Sequence, residues 1–542
     1  MNGANSMIFF AGVIVSIIIY LVVGLLAGRK VKDIDDYYVS GRNAPTILIA
    51  GTLFASMLSV NGFTGDQSFC YTGNITSLVL LNSICACGYV FGPLFFGRYL
   101  RRSECGTMPE YFGMRYKDPR NRRIAGIITI ISLTAYLLAC ITGIGILMQE
   151  LTSLSYELCL FIAWVCFTAF TFYSGSKGVI ITDTMMFMVF IAAAIIAGPY
   201  IFKAQGGIGS LLQNLMNNPN APEGLLDYYG NIPGTGASNI FGAVMYAVTM
   251  GIIWFITVAV SPWQAGRNLM AKSEHVTFRS GAVAAICTTV FLLYVNIMSI
   301  SVINLNPNME DPQRVLIWAA FNVMPKLVGT LLLAGIMAAG LSSASTFLSV
   351  VGFSVTSDIF HVEFKDEKQQ LRTSRIIMLA VGIVSLILAY LNLGGVRVVS
   401  WFASTIIASS WLVPGVGSIV SPRLSAAGAR WSMTAGFLGF IISKCLVGFG
   451  VAPFSSIFIN FLDPFFIGLY LSLVFAVIGS RVRPVTAEES AYRDSLLVLP
   501  KEERVGREYQ IDRRYGWLLI VMGVLTTLFL LLNWALPYNG LI

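Results

Sequence analysis

Fourteen stretches of roughly 20 or more mostly apolar residues recur along this chain of 542 residues. A helix needs about 20 such residues to cross the hydrocarbon core of a bilayer, whereas a transmembrane β-strand needs only about 10. Inside lipid every backbone N–H and C=O must be satisfied within the protein, which leaves helices and closed barrels. Runs this long exclude the barrel. The chain is therefore an all-α polytopic membrane protein of about 14 transmembrane helices. The runs lie at 7–27, 45–72, 76–100, 124–150, 153–174, 178–203, 239–263, 280–305, 324–357, 374–393, 396–421, 431–452, 460–480 and 516–537, and are numbered here as spans 1 to 14. Composition agrees. Only 11% of residues are charged, against about 25% in soluble domains, which excludes most cytosolic enzymes.

The loops orient the spans. Run 1, Met7–Ala27, is followed by Arg29, Lys30 and Lys32 and preceded by no basic residue. A cleaved signal peptide has its positive charge first, so this run reads as a retained span with its N-terminus outside. An even number of spans puts both termini outside. Segments 28–44, 98–123, 264–280, 358–375, 422–430 and 481–514, together with Lys177, then face the cytoplasm. They hold thirty of the 35 Lys and Arg, a strong positive-inside bias that fits a multi-pass protein of the plasma membrane. The net charge of +8 thereby records topology and calls for no nucleic-acid partner; the lipid bilayer is the partner it implies. Nothing in the sequence sets an oligomeric state.

The nine cysteines form no CxxC pair, which argues against a disulfide framework or a zinc site. Both histidines, His275 and His361, fall at the cytoplasmic edge. Residues 1–480 read as one transmembrane domain. Segment 204–238 is an outer loop with a short surface helix at Ile208–Met216, 481–515 is a solvated cytoplasmic linker of mixed charge, and 516–542 is the last span with an outer C-terminus.

Two spans carry helix-breaking features. Span 2 contains Ser59-Val60-Asn61-Gly62-Phe63-Thr64-Gly65-Asp66; span 7 contains Gly251 and ends at Ser261-Pro262. Broken helices at bilayer depth are tolerated where the freed backbone lines a cavity. Interrupted helices at matching places in two halves point to a transporter's binding site. Spans 2 and 7 are five apart, so repeat 1 (about 45–203) and repeat 2 (about 239–421) would be inverted copies. Two independently kinked helices fit the pattern equally well.

Polar residues within the apolar background mark further positions. Asp183, near the inner end of span 6, needs a partner, a cavity or an ion, because an acid near a helix centre costs about 3 kcal/mol to insert; a helix-capping Asp beside Lys177 is the plain alternative. In span 9, Ala339, Ser342, Ser343 and Thr346 share one helical stripe. A lone membrane Ser or Thr usually bonds its own i−4 carbonyl. Four hydroxyls among residues 342–346 can also supply uncharged oxygens to a hard monovalent cation. Gly335, Ala338 and Gly340 let another helix approach closely.

Several stretches, in order, carry a resemblance. They are Asp35-Asp36-Tyr37-Tyr38-Val39-Ser40-Gly41-Arg42, then Thr107-Met108-Pro109-Glu110-Tyr111-Phe112 with Arg115-Tyr116, then Gly178 with Thr182-Asp183. Gln264-Ala265-Gly266-Arg267-Asn268-Leu269-Met270-Ala271-Lys272-Ser273 and Gly340-Leu341-Ser342-Ser343-Ala344-Ser345-Thr346 complete the set. Thr107 and Glu110 also read as a capping box. The chain resembles the sodium/solute symporter family, which includes sodium–glucose, proline, pantothenate and sialic acid cotransporters. The resemblance implies a LeuT-type 5+5 inverted repeat with flanking helices, and co-transported sodium (Na+). It implies a first sodium site from the Ala55, Leu58 and Ala339 carbonyls with the Ser342 and Ser343 hydroxyls. It implies a second sodium at Asp183, Ser342, Ser345 and Thr346, as in some members. Sugar carriers show Glu-Gln where this chain has Asn61 and Gly62, and sialate carriers use an Arg in span 4 that Leu133–Glu150 lacks. The substrate pocket is expected to include Ser59, Asn61, Gly62, Thr64, Asn82, Trp254 and Thr257, with Asp66 either meeting a cationic substrate group or sitting at the outer mouth.

The expected function is sodium-coupled secondary active import of a small organic solute by alternating access. A proton-coupled carrier with Asp183 titrating and a solute sensor on the same fold are the alternatives. A membrane enzyme would cluster His, Asp or Glu at one face; the inner-loop acids Asp35, Asp36, Glu104 and Glu110 are scattered beside basic residues instead, so no enzyme is expected.

Overall fold

The computed structural model describes residues 3–29, 34–152, 154–359, 367–391, 394–451 and 462–541; His361 lies outside them. Among the described residues the fold is helical, with one isolated bridge between Ala44 and Ala271. Among the described residues twelve helices are long and apolar enough to cross a membrane, and two shorter apolar helices, Thr46–Leu58 and Tyr156–Ala169, lie in runs 2 and 5. Each of the fourteen runs therefore has an apolar helix.

Backbone turns separate spans that run together. The second half of span 2, Gly65–Phe69, passes through Thr72 and Gly73 (φ 102°) into span 3, Ile75–Gly92. Spans 5 and 6 form one element, Tyr156–Ala204, interrupted at Gly175 (φ 53°, ψ −156°). A Cβ there would meet the Tyr37 ring at 2.4 Å, so both conformation and space require glycine.

Span 2 is broken where the polar run places the break. Helix Thr46–Leu58 ends at Ser59 (φ 47°), and helix resumes at Gly65. Span 7 differs from expectation. Helix Ile240–Val260 runs unbroken through Gly251 and stops at Ser261, and a short 3₁₀ segment follows at Ala265–Met270. Gly251 serves packing: a Cβ would lie 2.9 Å from Ile84.

Span 9, Lys326–Phe353, is the central pillar, with Ala338 to Thr346 fully buried or nearly so. Spans 6 and 4 close on its small residues: a Cβ on Gly335 would meet Ala193 at 2.9 Å, and one on Gly340 would meet Ile144 at 2.6 Å. This is close packing without bulk, the means by which membrane helices associate.

The expected capping box is present in a shifted form, its return bond going to Gly106 rather than to Thr107. Thr107 Oγ1 accepts from the Glu110 N–H at 3.1 Å, and Glu110 Oε2 accepts from the Gly106 N–H at 2.7 Å. The short helix expected at Ile208–Met216 is also present, as a 3₁₀ turn leading into an α-helical turn. Segment 481–515 is no free linker. Its helix Ala487–Leu497 docks on the inner loops: Glu489 accepts from the Ala426 N–H, Arg493 donates to the Ile419 carbonyl, and Arg102 donates to the Leu496 carbonyl. Further on, Glu503 and Asp512 flank His275, and Arg279 pairs with Glu508 and Asp512.

Candidate functional site

The break in span 2 frees backbone at its centre. Leu58 is the last helical residue before Ser59, and its carbonyl accepts only a turn bond from the Gly62 N–H at 2.9 Å. The Ala55 carbonyl faces span 9 and accepts from Ser343 Oγ at 3.4 Å, beyond the usual range for a hydroxyl donor. Ala55, Leu58, Ala339, Ser342 and Ser343 are all buried. Ala55 and Ser343, 288 residues apart, are thus brought face to face. Ser342 turns from that group and donates to Asp183 Oδ1 at 2.7 Å. Among the described residues no three His, Cys, Asp or Glu side chains converge, so neutral oxygens characterise the Ala55–Ser343 group.

Asp183 is the centre of a second group. It is fully buried, and four donors reach it: Ser342, Thr52 at 2.6 Å, Thr346 at 3.2 Å and the Arg267 guanidinium at 3.5 Å. Arg267 also donates to the Thr346 hydroxyl. Of the four residues assigned to a second cation, Asp183, Ser342 and Thr346 meet; Ser345 points elsewhere, donating to the Ser342 carbonyl at 2.8 Å. A tethered cation thus already sits on the carboxylate. By sequence Arg267 falls among the charges of segment 264–280. Its burial beside Met270 and Leu269 is the signal that it needs an acid. Gln264 was missed likewise: its amide donates to the Leu53 carbonyl at 3.1 Å and Ser56 Oγ at 3.2 Å, holding span 2 just before the break. A small cavity lined in part by Arg267 extends to Thr107 and Ser354 at the inner face.

A cavity beside the break brings together Asn61, Gly62, Asn82 and Trp254 of the expected pocket, and adds Asp66, Thr288 and Trp401. The other expected residues do not line it. Ser59 Oγ accepts from the Asn61 N–H, Thr64 donates to the Val60 carbonyl, and Thr257 donates to the Ser404 carbonyl. The cavity holds about 20 Å³, room for roughly one water, so its walls must part to admit an organic solute. On its outer side Arg397 lies between the rings of Phe69 and Trp401, 3.5 and 3.8 Å from their centres, and donates to Tyr246 Oη at 2.7 Å. At the inner side Asp358, at the end of span 9, accepts from Arg122 and Thr107, both at 2.8 Å.

Comparison with known proteins agrees with this architecture. The family model "Sodium:solute symporter family" matches residues 37–436. The chain is 23% identical over 390 residues to the sodium/proline symporter of Escherichia coli, covering 68% of this chain and 74% of that one. It is 23% identical to the sodium/pantothenate symporter of Haemophilus influenzae, covering 87% and 97%. Among solved structures, a sodium-coupled sialic acid symporter in a substrate-bound outward-open state superposes with TM-score 0.71 at 18% identity, covering 88% of this chain and 99% of that one.

Proposed function

Because the chain belongs to the sodium:solute symporter family, whose members are membrane carriers and not enzymes, we propose that its sodium ion binds between spans 2 and 9 at the Ala55, Leu58 and Ala339 carbonyls and the Ser343 hydroxyl, with the Ser342 hydroxyl turning in from Asp183. The observation that carries this assignment is the Ser343 hydroxyl set against the Ala55 carbonyl beside the broken helix end. Sodium here would tie the inner half of span 2 to the central pillar while the solute occupies the cavity at Asn61, Gly62, Asn82 and Trp254. With both termini outside, repeat 1 (45–203) then rocks against repeat 2 (239–421), the solute moves inward, and each positive charge gains about 2.3 kcal/mol per 100 mV. A second sodium at Asp183, Ser342 and Thr346, with Ser345 behind them, binds only when Arg267 withdraws, because two cations cannot share one buried carboxylate cheaply. Uptake by proteoliposomes under an inward sodium gradient, against choline, tests the coupling; equal accumulation in both refutes it.

A further inference from the structure

Three buried polar oxygens around the cavity have no hydrogen-bond partner: Asp66 Oδ1, Asn61 Oδ1 and the Thr288 hydroxyl. They come from two elements that the break in span 2 brings together, the unwound stretch with its restarted helix and span 8, Glu274–Ile303. The Asp66 and Asn61 Oδ1 atoms can only accept, since a carboxylate and an amide oxygen carry no proton to give. Buried acceptors left unpaired are costly, and a bound molecule with N–H donors removes that cost. Asp66 is the charged side chain lining the cavity, and apart from Asn82 the remaining wall is apolar and aromatic, with Phe54, Leu292, Trp254 and Trp401. The Asn61 side chain bonds Asp66 and Arg397 is near it, which leaves Asp66 Oδ1 free, and the Arg397 guanidinium is held between Phe69 and Trp401 and bonded to Tyr246.

We propose that the transported solute carries a protonated primary or secondary amine, that Asp66 receives it with help from Asn61 and Thr288, and that an apolar body rests on Trp254. This rests on the cavity being the solute site of the symporter. An ammonium beside an indole face gains further attraction from the ring.

The test uses solutes paired so that only the nitrogen changes: L-proline with cyclopentanecarboxylate, pipecolate with cyclohexanecarboxylate, 5-aminovalerate with valerate. Pyrrolidine supplies the amine without a carboxylate, and glucose neither. Thermal stabilisation of the purified full chain is read in sodium and in choline. Stabilisation by amine members and by none of their carbocyclic partners is expected. Asp66→Asn should raise the apparent Kd for those amines at least about 30-fold, the cost of removing one partner of a desolvated charge pair, with solute-free binding of radioactive sodium unchanged. Response to pyrrolidine separates a plain cation site from one that also needs the carboxylate. Equal stabilisation by the nitrogen-free partners, no response to any amine, or a Kd unchanged in Asp66→Asn each overturn the proposal. Amine preference retained in choline, with no sodium binding, would instead overturn the sodium coupling and leave the amine site standing.

Discussion

Replacing Arg267 by Met separates the two cations that can neutralise Asp183. The guanidinium lies 3.5 Å from the carboxylate, and both groups are almost fully buried. With an effective dielectric constant of about 20, two unit charges at that distance attract by about 5 kcal/mol. Removing one partner of a buried pair typically costs about 3–5 kcal/mol, because the survivor is left charged and unpaired. Arg267→Met should therefore unfold more easily in choline buffer by about that amount. Three hydroxyls still point at Asp183, from Thr52, Ser342 and Thr346, so the vacated place is a ready sodium site. Sodium at 100 times its Kd would restore about 2.7 kcal/mol. Wild type should gain less from the Asp183 site, since sodium there must displace the guanidinium. The assay is denaturant unfolding in detergent at matched ionic strength, sodium against choline, for wild type, Arg267→Met and the Asp183→Asn/Arg267→Met double variant. The double variant should lose the added sodium response. A sodium response in Arg267→Met no larger than wild type, or full stability in choline, refutes the reasoning.

Ser343→Ala removes the span-9 hydroxyl facing the Ala55 carbonyl, and half-maximal uptake should require at least tenfold more sodium, or about 1.4 kcal/mol; an unchanged sodium requirement rules out this site. Gly62→Ala places a methyl 2.7 Å from the Leu58 carbonyl oxygen, so sodium-driven uptake should be lost while expression and detergent stability fall by only about 1–3 kcal/mol; normal uptake would show that the turn tolerates side chains. Asp358→Asn leaves Arg122 without its nearest carboxylate and loosens the end of span 9, so in a Ser176→Cys background, which places a thiol on the cavity beside Arg267, a cysteine-reactive probe should react faster; a rate equal to that of Ser176→Cys alone would mean that this contact does not restrain opening.

The membrane helices were legible because the bilayer allows so few solutions: a run of about 20 apolar residues leaves the backbone one way to satisfy itself. The span-2 break was legible for a related reason, since Ser59, Asn61, Gly62 and Thr64 crowd glycine and polar side chains into one place. Gly251 shows where that reasoning fails. A lone glycine reads the same whether it breaks a helix or, as here, admits Ile84. Arg267 meets Asp183 from 84 residues away, and no local pattern encodes that pairing. Ser59, Thr64 and Thr257 look like pocket residues by type, and each also bonds a backbone group, a use that residue type does not reveal. The charges of 481–515 suggested solvation. Glu489 and Arg493 instead meet backbone groups at Ala426 and Ile419, a use of charge that composition does not distinguish.

That docked segment works as a yoke. At one end it grips the foot of span 11 and the start of span 12, through Ile419 and Ala426; at the other it grips the foot of span 8, through His275 and Arg279. Two struts bound to one crossbar cannot spread without slipping it. Under the alternating access proposed above, this leaves the other side free to open, where Arg267 meets Asp183 of span 6 and Thr346 of span 9, and cargo leaving the cavity there would pass the guanidinium.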